Sequence, residues 1–118
     1  MKIGVTGSSG LVGFNFCVEA LKNNDSLNIL IRKDTDYLKQ IDAKVYYGDL
    51  NDIKVLDKFC EGCDVIIHSA AMISIGLDSY DEVYEVNYLG TKNLLESSKK
   101  MKVKKFIYIS SINAFNKN

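Results

Sequence analysis

Three glycines stand at every third position near the start of the chain, in the stretch TGSSGLVG. They are Gly7, Gly10 and Gly13, and they directly follow a short apolar run. Glycine weakens both strands and helices, so glycines at such a junction indicate a sharp turn or the close approach of another group. A helix N-terminus offers unpaired N–H groups and the positive end of a dipole, which bind phosphate. The stretch therefore predicts a phosphate-binding turn.

The cysteines and the single histidine give weaker signals. Cys60 and Cys63 form a CxxC pair, which is typical of a redox centre or of half a zinc site. No second CxxC is present, the third cysteine is Cys17, and His68 is the one histidine. An odd cysteine count also argues against a disulfide framework. We predict no metal site, interpret the pair as incidental loop cysteines, and interpret His68 as a packed strand residue rather than a catalyst.

Short apolar strands that alternate with helical segments must position the glycine turn. The predicted strands cover residues 2–6, 27–31, 43–47, 64–68 and 105–110. The predicted helices cover residues 11–22, 34–40, a segment that is capped by Asn51 or Asp52 and ends at 59, and 78 to about 101. The strands are largely apolar rather than alternating, which is typical of strands buried on both faces. We therefore predict an α/β fold: a doubly wound parallel sheet of five strands with helices on both faces.

Composition limits the partners. The 118 residues include 15 Lys and Arg against 15 Asp and Glu, so no basic field favours nucleic acid or an anionic membrane. No apolar stretch approaches the roughly 20 residues that a membrane helix needs. We expect a single cytoplasmic domain that binds a partner that is small or of mixed charge, with neither nucleic acid nor membrane as a ligand.

The glycine spacing and four later stretches together resemble the extended branch of the short-chain dehydrogenase/reductase superfamily. GxxGxxG preceded by Thr6 differs from the GxGxxG of other dehydrogenases. The further stretches follow in the family's order: YGDL at 47–50, CDVIIHSAA at 63–71, NYLGTKNLLE at 87–96 and FIYISS at 106–111. The branch includes nucleotide-sugar epimerases, dehydratases, dihydroflavonol reductases and hydroxysteroid dehydrogenases. The resemblance covers essentially the whole chain and implies an NAD(P)-binding Rossmann fold.

The resemblance implies a cofactor contact for each stretch. Asp49 would accept a hydrogen bond from the adenine amino group, although Gly48 and Asp49 could instead simply form a turn. Ala70 and Ala71 would be the small pair beside the ribose and phosphates. The expected cofactor-binding residues are Gly7, Ser9, Gly10, Leu11, Val12, Gly13, Arg32, Lys33, Asp49, Leu50, Ser69, Ala70, Ala71, Asn87 and Ser110.

The end of the second strand predicts which dinucleotide binds. An acidic residue there would bind the ribose 2′-OH of NAD, whereas arginine accommodates the 2′-phosphate of NADP. The chain has Arg32 and Lys33, which can both pair with a phosphate. We favour NADP(H); NAD(H) is the alternative, because Asp34 and Asp36 could take the acidic role if the strand ends two residues later.

The resemblance implies that Ser111 is the catalytic residue that hydrogen-bonds the substrate carbonyl or hydroxyl. The family's catalytic Tyr and Lys, spaced YxxxK, would come after that serine and beyond Asn118. Tyr88 and Lys92 also form YxxxK, but they precede the serine strand, so we interpret them as a coincidence. We expect residues 1–118 to be the cofactor-binding domain of a longer protein and to bind a dinucleotide at most. With the fifth strand bare, we also expect self-association as a homo-oligomer.

Three functions are consistent with these features. Arg32 and the stretch AAMISI at 70–75 resemble the dihydroflavonol reductase and hydroxysteroid dehydrogenase side of the family. The leading hypothesis is therefore an NADP(H)-dependent carbonyl reductase or alcohol dehydrogenase with a small-molecule substrate. The alternatives are an NAD-dependent nucleotide-sugar epimerase or dehydratase, and a non-catalytic module that senses the NADP redox state.

Overall fold

The computed structural model describes residues 1–8, 11–32, 36–69 and 88–109. Its elements, in chain order, are β1 (Lys2–Thr6), α1 (Leu11–Lys22), β2 (Ser26–Ile31), a 3-10 helix (Asp36–Gln40), β3 (Lys44–Tyr47), α2 (Ile53–Cys60), β4 (Val65–His68), α3 (Gly90–Lys100) and β5 (Lys105–Tyr108). The predicted bounds of β1 and α1 are confirmed, and most other ends shift by one or two residues. Of the helix predicted from 78 to about 101, the structure describes residues 88 onward, which include α3. Its expected first turn at residues 78–82 lies outside the described residues.

The five strands form one parallel sheet in the order β3-β2-β1-β4-β5. The first strand is central, and the chain winds outward from it in both directions, as predicted for a doubly wound sheet. Thr6 is paired with His68, so the carboxyl ends of β1 and β4 lie side by side. Ligands of such sheets bind in the crevice outside the strand ends at this point, where the strand order reverses.

Two apolar cores cover the two faces of the sheet, which explains the continuous apolar strands. On one face, α1 contributes Cys17 and Ala20 to a cluster with buried residues of β1, β2 and β4. On the other face, Leu56 and Phe59 of α2 and Leu94 of α3 pack together. A strand buried on both sides needs no polar alternation. The prediction of helices on both faces is therefore confirmed.

The cysteines belong to these cores; the interpretation as a loop residue is wrong for Cys60, whereas Cys63 lies in the loop between α2 and β4. Cys60 is the last residue of α2, and Cys17, Cys60 and Cys63 are all buried and free. Burial raises the pKa of each thiol to about 11. Among the described residues no group of three or more potential ligand side chains could hold a metal ion. In this part of the chain the cysteines therefore serve packing.

Local contacts explain how α2 and α3 are placed. Of the two predicted caps, Asp52 is the one used: its carboxylate accepts a hydrogen bond from the Val55 N–H at 3.4 Å. Asp57 of α2 accepts hydrogen bonds from the Ser97 hydroxyl at 2.8 Å and the Lys100 ammonium at 2.7 Å. Those two bonds hold the pKa of the Asp57 carboxyl below its ordinary value and tie α2 to α3.

The β5 strand lies at one edge of the sheet. Ile107 and Tyr108 are 40% and 46% exposed. None of the described helices has the length and apolar character needed to cross a bilayer.

Candidate functional site

The turn between β1 and α1 contains two glycines with different tasks. Gly7 has a φ of 73°, a left-handed conformation, and a Cβ on it would lie 2.6 Å from the Ser69 carbonyl oxygen. Gly13 lies in the first turn of α1, where a Cβ would overlap the Gly7 carbonyl oxygen and lie 3.1 Å from the Ser8 Cα. Gly7 therefore allows the turn and the close approach of β4, whereas Gly13 allows the helix to pack on the turn. Gly10 and Ser9 lie outside the described residues.

The N-terminus of α1 faces the crevice with its positive end uncompensated. Leu11 and Val12 are the first residues of this 12-residue helix, and the backbone N–H groups of a first turn have no partner within the helix. The first turn contains no acidic side chain that would compete for the positive end of the dipole. This arrangement can bind a phosphate group.

Ser8 is a residue of the turn that the sequence analysis did not single out. Its side chain is fully buried, and its hydroxyl has no hydrogen-bond partner among the described residues. Leaving a buried hydroxyl unpaired costs about 1 to 3 kcal/mol, and such groups in native structures require an explanation. The family resemblance had predicted Ser9 as a cofactor-binding residue, and the type and position of Ser8, a small polar residue between glycines, gave no signal of its own.

His68 connects the ends of two strands to α3. Its Nδ1 lies 2.7 Å from the Thr6 hydroxyl, and its Nε2 lies 3.0 Å from the Thr91 hydroxyl. Burial lowers the pKa of the imidazole to about 4, so the ring is neutral near pH 7. A neutral imidazole has one donor and one acceptor, and each hydroxyl can serve either nitrogen. The prediction that His68 is a packed strand residue is confirmed.

Ser69 completes the connection between β1 and β4. Its backbone N–H donates to the Thr6 hydroxyl at 3.1 Å, and its own hydroxyl donates to the Thr6 carbonyl at 2.7 Å. These bonds continue the pairing of the two strands beyond the last residue of the ladder. They fix the floor of the crevice directly beside Gly7.

The loop after β3 forms the opposite side of the site. Asp49 is exposed, and one of its carboxylate oxygens, Oδ1, accepts a hydrogen bond from the Asn51 N–H at 2.8 Å. Its other oxygen has no hydrogen-bond partner among the described residues. The Leu50 carbonyl accepts a hydrogen bond from Asn93 Nδ2 of α3 at 2.9 Å. Asp49 therefore stabilises the turn through Oδ1. Its second oxygen is available to accept a hydrogen bond from a ligand.

Arg32 follows β2 directly, at the same edge of the sheet as the glycine turn. The strand ends at Ile31, as predicted, and Arg32 is exposed. Asp36 lies in the 3-10 helix, with its carboxylate 4.0 Å from the Lys39 ammonium. Asp36 would have bound the ribose 2′-OH of NAD only if β2 ended two residues later, and β2 ends at Ile31.

The remaining predicted site residues stay predictions. Tyr88 and Lys92, the coincidental YxxxK pair, are both exposed; Tyr88 precedes α3, and Lys92 lies in its first turn. Residues that lie outside the described ranges are Lys33, Ala70, Ala71, Asn87, Ser110 and Ser111.

Known proteins similar to this chain share both its sequence pattern and its fold. The model of the 3-beta hydroxysteroid dehydrogenase/isomerase family matches residues 4–118. A putative dihydroflavonol 4-reductase of Synechocystis is 32% identical over 112 residues, which cover 93% of this chain and 32% of the relative. The dTDP-D-glucose 4,6-dehydratase of Dictyostelium discoideum is 32% identical over 124 residues, which cover 93% of this chain and 29% of the relative.

A solved structure supports the fold independently. A short-chain dehydrogenase/reductase superfamily protein from Agrobacterium tumefaciens, crystallised with bound NAD, superposes with a TM-score of 0.84 at 24% identity. The match covers 100% of this chain and 35% of that protein. The predicted Rossmann-type fold is confirmed. The chain spans about a third of the length of the curated relatives that it matches.

Proposed function

The chain belongs to the 3-beta hydroxysteroid dehydrogenase/isomerase family, as its resemblance to extended short-chain dehydrogenases/reductases predicted, and we propose that residues 1–118 form its dinucleotide-binding domain. The glycine turn carries this proposal. Gly7 and Gly13 leave no room for a Cβ, and the first turn of α1 contains no acidic side chain. The Ser8 hydroxyl is buried and has no hydrogen-bond partner in the described part of the chain. A pyrophosphate fits these features because it needs close backbone approach and a positive helix end.

The preferred cofactor that we propose is NADP(H). Arg32 is the only arginine of the sequence and stands directly after β2, where a ribose 2′-phosphate would lie. A guanidinium can bind that phosphate through two parallel hydrogen bonds. The end of β2 at Ile31 supports Arg32 over Asp36 in this role. The NAD bound to the Agrobacterium protein supports NAD(H) as the alternative.

Calorimetric titration of the 118-residue chain with NADPH and NADH tests both parts of this proposal. Because hydrogen bonds to charged groups contribute about 1.5 to 3 kcal/mol, Arg32→Ala should weaken NADPH binding about 10- to 100-fold and leave NADH binding nearly unchanged. Lys58→Ala is the matched control, since Lys58 is an exposed cation in the last turn of α2, at the opposite end of the sheet. Equal affinities for the two nucleotides would reject NADP(H) preference, and an affinity ratio that survives Arg32→Ala would reject Arg32 as its cause. Binding of neither nucleotide would reject the dinucleotide site.

For the whole protein, we propose a reductase or dehydrogenase that acts on a carbonyl or hydroxyl group of a small molecule. The description of the family and the name of the Synechocystis relative support this reaction class. A bound nicotinamide would supply or accept the hydride. Ser111 would hydrogen-bond the substrate oxygen, and a Tyr and Lys beyond residue 118 would provide the proton.

The full-length protein distinguishes this proposal from its alternatives. We expect a YxxxK in the sequence after residue 118 and consumption of NADPH with ketone substrates. The Dictyostelium relative supports a nucleotide-sugar dehydratase as the alternative, which would instead convert its substrate without net consumption of cofactor. Tight NADPH binding without a downstream YxxxK would favour the redox-sensing module.

A further inference from the structure

The first turn of α3 contacts Leu50, in the loop after β3, at both its side chain and its backbone carbonyl. A Cβ on Gly90 would lie 2.7 Å from Cδ1 and 2.9 Å from Cβ of Leu50, so the helix backbone packs tightly on the Leu50 side chain. Asn93, three residues later on the same side of the helix, donates its Nδ2 hydrogen bond to the Leu50 carbonyl at 2.9 Å. The side chain and the backbone of Leu50 are therefore both held by α3.

The Leu50 carbonyl shares its peptide group with the N–H that orients Asp49. The peptide bond between Leu50 and Asn51 is planar and trans, so its C=O and N–H point in opposite directions. Asn93 holds the C=O end, and the N–H end donates to Asp49 Oδ1 at 2.8 Å. The amide of Asn93 thereby limits rotation of the peptide group that fixes the Asp49 carboxylate. Asp49 is exposed, and its second oxygen, Oδ2, has no hydrogen-bond partner among the described residues.

We propose that Asn93 is a positioning residue for adenine recognition, acting through the Leu50–Asn51 peptide on the Asp49 carboxylate. This inference depends on the proposed function, in which Asp49 accepts a hydrogen bond from the adenine amino group. It adds a selectivity: with Asp49 held in place, the site prefers adenine, which has an exocyclic amino donor, over hypoxanthine, which has an oxo acceptor at that position. Without Asn93 the carboxylate turns more freely and the preference falls.

The position of α3 does not depend on Asn93. Thr91 is bonded to His68 of β4, and Ser97 and Lys100 are bonded to Asp57 of α2. A change of Asn93 should therefore leave the helix in place and affect the loop locally. This allows the positioning role to be separated from a role in folding.

The test compares affinities of the 118-residue chain for NADPH and for its hypoxanthine analogue, in which an oxo group replaces the adenine amino group. The unsubstituted chain should bind NADPH about tenfold or more tightly than the analogue, as expected for one hydrogen bond to a charged group. Asn93→Ala and the isosteric Asn93→Asp should both bring this ratio towards one, because neither can donate to the Leu50 carbonyl. Asn93→Gln should restore part of it, and Lys92→Ala, an exposed neighbour on the same turn, should leave it unchanged.

A double variant checks the route of the effect. If Asn93 acts through the carboxylate, Asn93→Ala should cause no further loss of the ratio in a chain that already contains Asp49→Ala. A further loss in the double variant would overturn the proposal. A chain with Asn93→Ala or Asn93→Asp that loses affinity for both nucleotides equally and keeps the ratio would also overturn it, because Asn93 would then serve only packing.

Binding of NADPH and of its hypoxanthine analogue to the unsubstituted chain shows whether the proposed function or only this inference has failed. If that chain binds neither nucleotide, the dinucleotide site itself is rejected. If it binds both equally, adenine recognition by Asp49 is rejected, and the inference with it. If it discriminates and the Asn93 variants discriminate as well, the proposed function stands and the inference alone falls.

Discussion

Between about pH 7 and about pH 5, we expect the stability of this chain to depend on pH through His68. It is the one histidine of the sequence, is 1% exposed, and is bonded to Thr6 and Thr91. Burial lowers its pKa from the ordinary 6.5 to about 4. Below pH 6.5 the unfolded chain therefore binds a proton that the folded chain excludes. The stability that comes from keeping His68 neutral in the folded chain is fully present above pH 6.5. It is lost as the pH falls from 6.5 to about 4, and stability does not change further through His68 below that pH.

The size of the loss follows from the two pKa values. They differ by about 2.5, which is 6.5 minus about 4, and at about 1.36 kcal/mol for each factor of ten the full loss is about 3 kcal/mol. At about pH 5, which is 1.5 below the unfolded pKa, the loss is already about 2 kcal/mol. Since small domains are stable by only about 5 to 15 kcal/mol, this effect is measurable.

Urea unfolding at about pH 7.5 and about pH 5 measures the loss of unfolding free energy that His68 causes. His68→Gln is the control, because it keeps a polar side chain but does not titrate. Between these pH values the unsubstituted chain should lose about 2 kcal/mol more unfolding free energy than the variant. A proton NMR titration of the single imidazole gives the folded pKa directly, even if the variant does not fold. Equal pH dependence in both chains, or a folded imidazole pKa near 6.5, would refute the reasoning.

Three further changes test other parts of the fold. Gly13→Ala should lower the unfolding free energy by about 1 to 3 kcal/mol in urea titration, because its Cβ would overlap the Gly7 carbonyl oxygen; a variant of unchanged stability would contradict that packing. Ser8→Ala should raise the unfolding free energy by about 1 kcal/mol by removing a buried hydroxyl that pairs with none of the described residues, and a decrease would mean that the hydroxyl has a partner. Light scattering should show concentration-dependent self-association through β5, reduced by Ile107→Lys; a monomer at every concentration would exclude it.

Elements with strong local signals could be predicted from the sequence. The bounds of β1 and α1 were correct because an apolar run, a glycine turn and a helical period adjoin within the first 22 residues. The start of β3 and the end of α2 were one residue off, since strand and helix bounds depend on contacts with neighbouring elements. The interpretation of Cys60 as a loop residue failed because spacing alone does not show that a CxxC begins inside a helix and faces a core.

The contacts that order the site could not be predicted in the same way. Thr6 and His68 are 62 residues apart, and Asn93 and Leu50 are 43 apart. Such pairs meet only after the sheet has assembled, and the residue types alone do not specify them. The family motifs identified Asp49 and the glycines as candidates because their own chemistry suits a ligand. They did not identify Asn93, whose effect passes through the backbone of another residue.

The bonds around the crevice explain why α3 matters for a site that lies at the strand ends. Thr91 fixes the end of β4 through His68, and Asn93 fixes the loop after β3 through Leu50. Two sides of the crevice thus have one helix as a common support, and that helix is held to α2 independently by Asp57. A site whose parts are already in place loses less conformational freedom on binding, so more of the contact energy appears as affinity. Substitutions on the inner side of α3 should therefore change cofactor affinity without touching the cofactor, whereas substitutions of its exposed residues should not.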